Sequence, residues 1–272
     1  MEKMPRSAEY SHEIITELPE KSQDAMTNFY LRELKRNGSA ETVLNYLNEA
    51  SESEAKSYDS AEDFLAANPD YLEQVNASIS SEEKAALREY SSWNFAWINS
   101  VERGFWDYEK LGKKTPEKEA QIHETSEKID HAITAAPAPQ EDFMTYRGTD
   151  LSGFSKYGVQ SLEDLEQMKG QIMVESGYTS TAIARENSFV EQEGTFWIGK
   201  SNVEMRYHIP GNKKTSIALL SDELSHSPNQ TEVLLNRGMM SYISDVSFDE
   251  PNHAVVDAIV IPFELYDPAR LD

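Results

Sequence analysis

The chain of 272 residues contains no cysteine, which excludes disulfide bonds, thiolate nucleophiles and cysteine-ligated metal sites. Long apolar stretches are also missing, because no run reaches the roughly 18 residues that a membrane-spanning helix needs. The residues that follow Met1 lack the apolar segment of a secretory signal. The sequence therefore predicts no membrane segment and no secretory signal, and the redox compartment is left open.

Positive charge is scarce. There are 25 lysines and arginines against 48 aspartates and glutamates, and the formal net charge is -23. Such a surface repels nucleic-acid phosphates and anionic lipid head groups at long range. A basic protein partner is therefore favoured over nucleic acid or membrane, although solubility alone also accounts for the charge.

Several common catalytic and phosphate-binding motifs are absent too. The sequence contains neither a Gly-x-Gly-x-x-Gly after a predicted strand nor a Gly-x-x-x-x-Gly-Lys-Ser/Thr, so neither a Rossmann unit nor a P-loop is predicted. His123 and His131 are eight positions apart, not the four that place two zinc ligands on one helix face. We predict no metal site.

The first half of the chain has helical signals. Ser22 is a candidate cap for a helix that carries Met26, Phe29, Tyr30 and Leu34 and closes at Gly38. The spacing of Ser80 and Glu83 is that of a capping box, and it predicts a helix that continues as far as Val101. Thr115 followed by Pro116 predicts the start of another helix.

The second half reads as short strands, which predicts an α+β fold with an antiparallel sheet because no long helices intervene. We expect residues 1–57 to form a helical N-terminal extension and residues 58–272 to form the catalytic domain. The extension is interpreted as a brace on the core, with a binding or secretion segment as the alternative. The predicted strands cover residues 143–146, 170–174, 195–198, 205–209, 216–220, 232–235, 239–243 and 254–261.

Three motifs follow one another in the strand-rich half, each placed at a predicted strand end. They are Tyr146-Arg147-Gly148, Gly177-Tyr178-Thr179-Ser180-Thr181 and Gln230-Thr231-Glu232. An arginine, a serine and a glutamate in this order resemble the mono-ADP-ribosyltransferases of the Arg-Ser-Glu class, the family of C3-like and binary exotoxins. The resemblance spans about residues 80–262 and implies N-terminal helices packed on a two-sheet, mainly antiparallel β core.

The chemistry of NAD cleavage explains why these residue types occur together. Breaking the bond between nicotinamide and ribose develops positive charge on the ribose, which a fixed carboxylate, Glu232, can stabilise. The planar guanidinium of Arg147 suits the anionic phosphates. Ser180 can hold the carboxylate in its productive rotamer.

The resemblance also implies a binding site for NAD as substrate. Asn99 and Arg103 belong to an Ile-Asn-x-x-x-Arg-Gly pattern that helps hold the dinucleotide phosphates in this family. Gly148 permits close backbone approach beside Arg147. The remaining candidates for NAD contact are Thr181 and an aromatic residue that stacks on nicotinamide, either Phe189 or Phe196.

The sequence thus predicts an NAD-dependent mono-ADP-ribosyltransferase acting in the cytosol, as a bacterial toxin or effector or as a phage enzyme that modifies its host. Gln230 favours a neutral acceptor side chain, asparagine or glutamine, on a host protein. Ser227 stands where C3-like enzymes have an aromatic residue for Rho recognition, so Rho is not predicted as the target. The alternatives are an NAD glycohydrolase, an arginine-specific transferase, and a non-catalytic acidic interaction protein. No oligomeric state is predicted.

Overall fold

The computed structural model describes residues 14–106, 111–188, 202–250 and 252–267. Within them, no helix is both long and apolar enough to span a membrane. Side-chain caps begin several helices: the Ser80 and Glu83 capping box is present, and Thr115 accepts from the Lys118 N–H ahead of Pro116. The α-helices are α1 (Ala25–Arg36), α2 (Ala40–Glu52), α3 (Ala61–Ala67), α4 (Tyr71–Ser78), α5 (Ser81–Glu89), α6 (Phe95–Glu102) and α7 (Pro116–Ala135).

Helix α1 differs from its prediction at the cap and on the buried face. Asp24, not Ser22, is the N-cap, because its carboxylate accepts from the Thr27 N–H. The helix buries Leu31 and Leu34 together with Thr27, whereas Met26 and Phe29 are exposed. The predicted left-handed glycine is confirmed, since Gly38 has φ +77°.

The helix predicted from Ser80 to Val101 is broken in two. Helix α5 ends at Glu89, a π turn occupies Tyr90–Asn94, and α6 begins at Phe95. The hydroxyl of Ser92 donates to the Glu89 carbonyl at 2.5 Å, a local side-chain bond of the kind that competes with the helical ladder. Ser92 also leaves the helical region, with ψ -158°.

The strands form a mixed sheet in the order β2-β7-β8-β4-β1-β3-β6-β5. Strands β4 and β8 are parallel and the other neighbours are antiparallel, which confirms the α+β, mainly antiparallel prediction. Their bounds are β1 (Phe143–Thr149), β2 (Ile172–Glu175), β3 (Thr179–Ala182), β4 (Val203–Ile209), β5 (Ser216–Ala218), β6 (Glu232–Leu235), β7 (Met239–Glu250) and β8 (His253–Ile261).

The sheet is continuous where two sheets were predicted. Its five-stranded part ends at β1 and its three-stranded part begins at β3, and in the described residues these two strands pair at Tyr146 and Ala182 alone. A prediction from local pattern cannot find this pair, because a single bridge leaves no periodic signal. The predicted strand at 195–198 lies outside the described residues.

The N-terminal helices share the hydrophobic core of the sheet. Leu31 and Leu34 of α1 and Val43 and Leu47 of α2 belong to the same buried cluster as the strands. The Tyr46 hydroxyl donates to the Val260 carbonyl of β8 at 2.7 Å. The domain boundary at residue 57 stays a prediction, and this packing supports the interpretation of the extension as a brace.

Shortening a buried side chain in α2 tests whether the extension and the sheet unfold together. Leu47 is fully buried, so Leu47→Ala should lower the free energy of unfolding by about 3 kcal/mol. Denaturant unfolding followed by circular dichroism should show one transition at a lower midpoint. Phe29→Ala, a similar truncation at a residue that is 51% exposed, should cost less than about 1 kcal/mol. An early transition of the helices alone would contradict the shared core.

Candidate active site

Strand β3 brings the three motif residues together, because it lies between β1 and β6 in the sheet. Ser180 lies within β3, Arg147 within β1, and Glu232 is the first residue of β6. The positions differ from the predicted strand ends for Arg147 and Ser180, since β1 continues to Thr149 and β3 to Ala182. Because each strand continues past these residues, paired residues lie before and after both Arg147 and Ser180 along the chain.

Arg147 is held against β3. Its Nη1 donates to the Ser180 carbonyl at 2.7 Å, and the side chain is half-buried. A guanidinium has five N–H donors in a fixed fork, so one such bond orients the group and leaves other donors for an anion. The arrangement suits a diphosphate better than a lysine could.

Glu232 is a buried carboxyl group, 8% exposed. Burial raises the pKa of Glu232, while a hydrogen bond from Ser180 and the positive charge of Arg147 act in the opposite direction. The charge of Glu232 also acts on Tyr90. Burial is the larger cause that raises the pKa of Tyr90, and the charge of Glu232 is the second. The carboxyl group is thus placed where its charge acts through a medium of low polarity.

The turn before β6 separates Gln230 from Glu232. Thr231 has φ +51°, an uncommon conformation for a β-branched residue. The Asn187 side-chain amide donates to the Thr231 hydroxyl at 3.2 Å, and Ile183 N–H donates to the Thr231 carbonyl at 3.0 Å. Gln230 is exposed while Glu232 is buried, so the amide is free to meet an incoming group at the surface.

Asn99 lies at the base of the site on α6. Its Oδ1 accepts from the Tyr178 N–H at 2.7 Å, and its Nδ2 donates to the Tyr90 hydroxyl at 3.0 Å. The residue is 7% exposed. Its amide therefore holds the start of β3, and its predicted contact with phosphate stays a prediction.

Arg103 follows α6 and is partly exposed. Its Nε donates to Glu175 Oε1 at 3.0 Å, with 42% of the arginine side chain exposed. Gly177 lets α6 approach the β2–β3 turn, because a Cβ there would lie 2.7 Å from Asn99 Oδ1 and 3.2 Å from Arg103 Cζ. The predicted position of Arg103 beside the dinucleotide phosphates stays a prediction.

The other predicted NAD contacts differ in their surroundings. The Gly148 N–H donates to the Ser188 carbonyl at 2.6 Å, which ties β1 to the segment after β3. Thr181 is buried and its hydroxyl donates to the Val233 carbonyl at 2.8 Å, so that side chain is engaged in the sheet. Phe189 and Phe196 lie outside the described residues. In the described ranges, no group of three acidic or histidine side chains could hold a metal ion.

Sequence reasoning missed Tyr90, Glu175 and Tyr207. Burial raises the pKa of Tyr207 to about 12, while the nearby charge of Arg147 lowers it and that of Glu175 raises it. The charges of Glu232 and Arg147, which act on Tyr90, belong to residues distant in sequence. No local pattern could have shown them.

A cleft of about 1020 Å³ opens beside Thr231 and the exposed Gln230 turn. Helix α3 forms one wall, and the loop before β6 forms the other. Three carboxylates line it, and no lysine or arginine does among the described residues. Its lining consists of Ser60, Ala61, Glu62, Leu65, Glu186, Asn187, Leu220, Ser221, Asp222, His226, Ser227, Pro228, Asn229 and Thr231.

The model of the ADP-ribosyltransferase exoenzyme family matches residues 66–262, and the chain belongs to this family. Solved structures with a similar fold include C3stau2 from S. aureus with NAD, at 22% identity and a TM-score of 0.58, covering 77% of this chain and 100% of that one. The Clostridium limosum C3 exoenzyme is 22% identical with a TM-score of 0.56, covering 77% of this chain and 98% of that one.

Plx2a, an ADP-ribosyltransferase toxin from Paenibacillus larvae, is also 22% identical, with a TM-score of 0.56 and coverage of 77% of this chain and 100% of that one. At this level of identity, the structural similarity shows a shared fold. No curated protein matches the chain. Membership of the family makes the chain an NAD-dependent ADP-ribosyltransferase, with NAD as its substrate.

The hydrogen bond between Ser180 and Glu232 leads to a prediction about pH. In its predicted catalytic role, the Glu232 carboxyl group stabilises the positive ribose only when ionised, so kcat should fall as pH drops through the pKa of Glu232. The Ser180 hydrogen bond lowers the pKa of Glu232. Ser180→Ala should therefore move the acidic limb of kcat for NAD cleavage to higher pH. A limb that stays in place, or moves to lower pH, would contradict this geometry.

Proposed function

We propose that the chain transfers ADP-ribose from NAD to a neutral side chain of a host protein, with asparagine or glutamine as the acceptor. The observation that carries this proposal is the exposed Gln230 at the rim of the site, two residues before the buried Glu232. The host setting is that of a bacterial toxin or effector or of a phage enzyme, with its site of action in the cytosol. The toxin description of Plx2a supports this setting.

Glu232 is the catalytic carboxylate in this proposal. As nicotinamide departs, the Glu232 carboxylate accepts a hydrogen bond from the ribose 2′-hydroxyl and stabilises the positive charge that develops on the ribose ring. Ser180 holds that carboxylate by a hydrogen bond. Because Glu232 is buried, little solvent reorganises during the step, and the electrostatic contact is prearranged.

In this proposal, arginines bind the phosphate groups of NAD. Arg147 is oriented by the Ser180 carbonyl, so its remaining donors can meet the diphosphate next to the reacting ribose. Arg103, which lies with Asn99 beside Gly177, is the second candidate, and an incoming phosphate would exchange with Glu175 for its guanidinium. Gly148 follows Arg147 in β1 and would let the dinucleotide approach the backbone there. Thr181 contributes to NAD binding through the position of β3, since its own hydroxyl is engaged with Val233.

Gln230 is the residue that selects the acceptor in this proposal. A carboxylate at this place could orient and deprotonate a guanidinium, whereas an amide cannot take a proton. An amide does donate and accept hydrogen bonds, which suits the side chain of asparagine or glutamine. A hydroxyl side chain is the next choice.

The cleft beside Thr231 supports a protein acceptor. Its volume of about 1020 Å³ accommodates a polypeptide segment, and Glu62, Glu186 and Asp222 give it a negative lining. Together with the net charge of -23, this favours a segment that carries basic residues near the modified side chain and disfavours nucleic acid.

The geometry of the site also bears on the three alternative functions. An NAD glycohydrolase would use the same Glu232 with water as acceptor. An arginine-specific transferase would need a base that Gln230 does not provide. A non-catalytic interaction protein has no use for the buried Glu232 with its Ser180 bond.

Glu232→Gln should separate catalysis from folding. Losing one prearranged electrostatic contact typically lowers kcat by about 10²- to 10³-fold, so release of nicotinamide should fall by that factor. The variant should be at least as stable as the parent, because burial disfavours the charged form of Glu232 and the amide removes that cost. Glu141→Gln, at a side chain that is 71% exposed, is the control and should keep parental activity. Parental nicotinamide release by Glu232→Gln would remove this residue from the mechanism.

Gln230→Glu should change the acceptor while sparing NAD cleavage. The parent should not modify a small guanidine such as agmatine, and the variant should, because a carboxylate can now orient the guanidinium. Labelled NAD, host lysate and mass spectrometry should map the parental modification to asparagine or glutamine. A parental modification mapped to arginine, or transfer to agmatine by the parent, would overturn the neutral-acceptor proposal and leave the enzyme class unchanged.

A further inference from the structure

A buried ion cluster lies behind the active site, around an arginine on the turn between β6 and β7. Arg237 Nε lies 2.9 Å and Nη2 2.7 Å from Asp130 Oδ2 on α7. Its Nη1 donates to Glu102 Oε2 on α6. The arginine side chain is 19% exposed and that of Glu102 is 7% exposed. One guanidinium therefore joins two helices to the turn after the catalytic strand.

The cluster continues to Tyr178. Its hydroxyl lies 2.7 Å from Asp130 Oδ1 and 2.7 Å from the Ser126 carbonyl, and its ring is 1% exposed. The backbone N–H of the same residue donates to Asn99, and the ring stands edge-on to Tyr90 with centroids 5.3 Å apart. Both ends of Tyr178 are thus held, the hydroxyl by the ion cluster and the backbone by α6.

The position of Tyr178 decides where Ser180 lies, because only Thr179 separates them. Strands β3 and β6 pair over four residues, and Thr179 faces Leu235 at the end of this ladder. Arg237 follows Leu235 by two residues. The contact from Arg237 through Asp130 to Tyr178 therefore joins the two strands just beyond their last pair. Slippage or fraying there would move Ser180 relative to Glu232.

Charge balance indicates that the cluster depends on Arg237. Without its guanidinium, Glu102 would keep its contacts with His123 and the Ser126 hydroxyl, and Asp130 would keep the Tyr178 hydroxyl. The two carboxylates would lose the cation between them, and Asp130 would lose the group that fixes its orientation. The fork geometry is needed too, because an ammonium cannot make parallel bonds to Asp130 while reaching Glu102.

We propose that Arg237 is a positioning residue of the active site: it fixes Asp130, Asp130 fixes the Tyr178 hydroxyl, and Tyr178 sets Ser180 against Glu232. This inference rests on the proposed roles of Ser180 and Glu232. It assigns Arg237 no contact with NAD or acceptor.

Two conservative variants test the connection through a readout that stability alone does not move. Tyr178→Phe removes one hydroxyl and keeps the ring, and Arg237→Lys keeps the charge and loses the fork. Each should lower kcat for nicotinamide release about tenfold, with KM for NAD nearly unchanged, because a misplaced catalytic group costs rate. Each should also move the acidic limb of kcat to higher pH, in the direction expected for Ser180→Ala.

The shift reports on the alignment of β3 at Ser180, since the variants substitute none of the other groups that face Glu232. These are Arg147 of β1 and Tyr90 of the π turn, and neither variant changes them. The double variant Tyr178→Phe with Arg237→Lys should be no slower than the slower single variant, because both act through one contact. Tyr46→Phe is the matched control: its hydroxyl donates to Val260 of β8 at 2.7 Å, away from β3, so the limb should not move even if stability falls.

The outcomes separate this inference from the proposed function. An active parent whose Tyr178→Phe variant keeps kcat and the acidic limb would overturn the positioning role alone. Additive losses in the double variant would also overturn it, because they indicate independent effects. If Arg237→Lys does not fold, the loss of a single hydroxyl in Tyr178→Phe still decides the matter. A folded parent that releases no nicotinamide would overturn both proposals.

Discussion

The site depends on the pairing of β3 with β1 on one side and with β6 on the other. Arg147, Ser180 and Glu232 belong to these three strands, and no two of them are neighbours in sequence. Alternate residues of a strand face opposite ways, so a shift of one residue would bury the Ser180 hydroxyl where Thr181 now lies. The pairing is short: four residue pairs join β3 to β6, and Tyr146 with Ala182 joins β3 to β1. Contacts outside the ladder, such as that of Asn99 with Tyr178, therefore carry much of the alignment.

A strained residue shapes the other end of β6. In a regular strand, Gln230 and Glu232 would face the same side, because they are two residues apart. Thr231 instead has φ +51°, which turns the chain before β6 begins. Non-glycine residues adopt this region at a cost, so surrounding contacts must hold it, and Asn187 and Ile183 do so. The outcome is an amide at the surface and a buried carboxyl group two residues apart, which the proposed function assigns to the acceptor and to the ribose.

How much the sequence could predict differs between local and distant contacts. The capping box of Ser80, the left-handed Gly38 and the strand at β6 rest on short-range rules and are confirmed. The break at Tyr90–Asn94 could not be predicted from apolar spacing, because serine side chains compete with the helical ladder there. The predicted site residues on β1, β3 and β6 lie on neighbouring strands, but their order in the sheet comes from pairing between distant segments. No local sequence pattern marks Arg237, because its partners lie on the distant helices α6 and α7.

The negative net charge of the chain limits how it can bind an anionic dinucleotide. With a net charge of -23, long-range attraction cannot draw NAD in, so local arginines must supply the positive charge. Arg185 and Arg206 are both bound to the fully buried Glu204, at 2.6 Å and 2.8 Å, and Arg237 is bound to Asp130 and Glu102. An arriving phosphate would take an arginine away from its carboxylate, and this is costly because these ion pairs are partly buried.

Arg103 differs, since its pair with Glu175 is more exposed and can open to solvent at little cost. Arg147 is held by a neutral carbonyl and need not give up a carboxylate at all. Of these five arginines, Arg147 and Arg103 would therefore bind the phosphates at the lowest electrostatic cost in the proposed function.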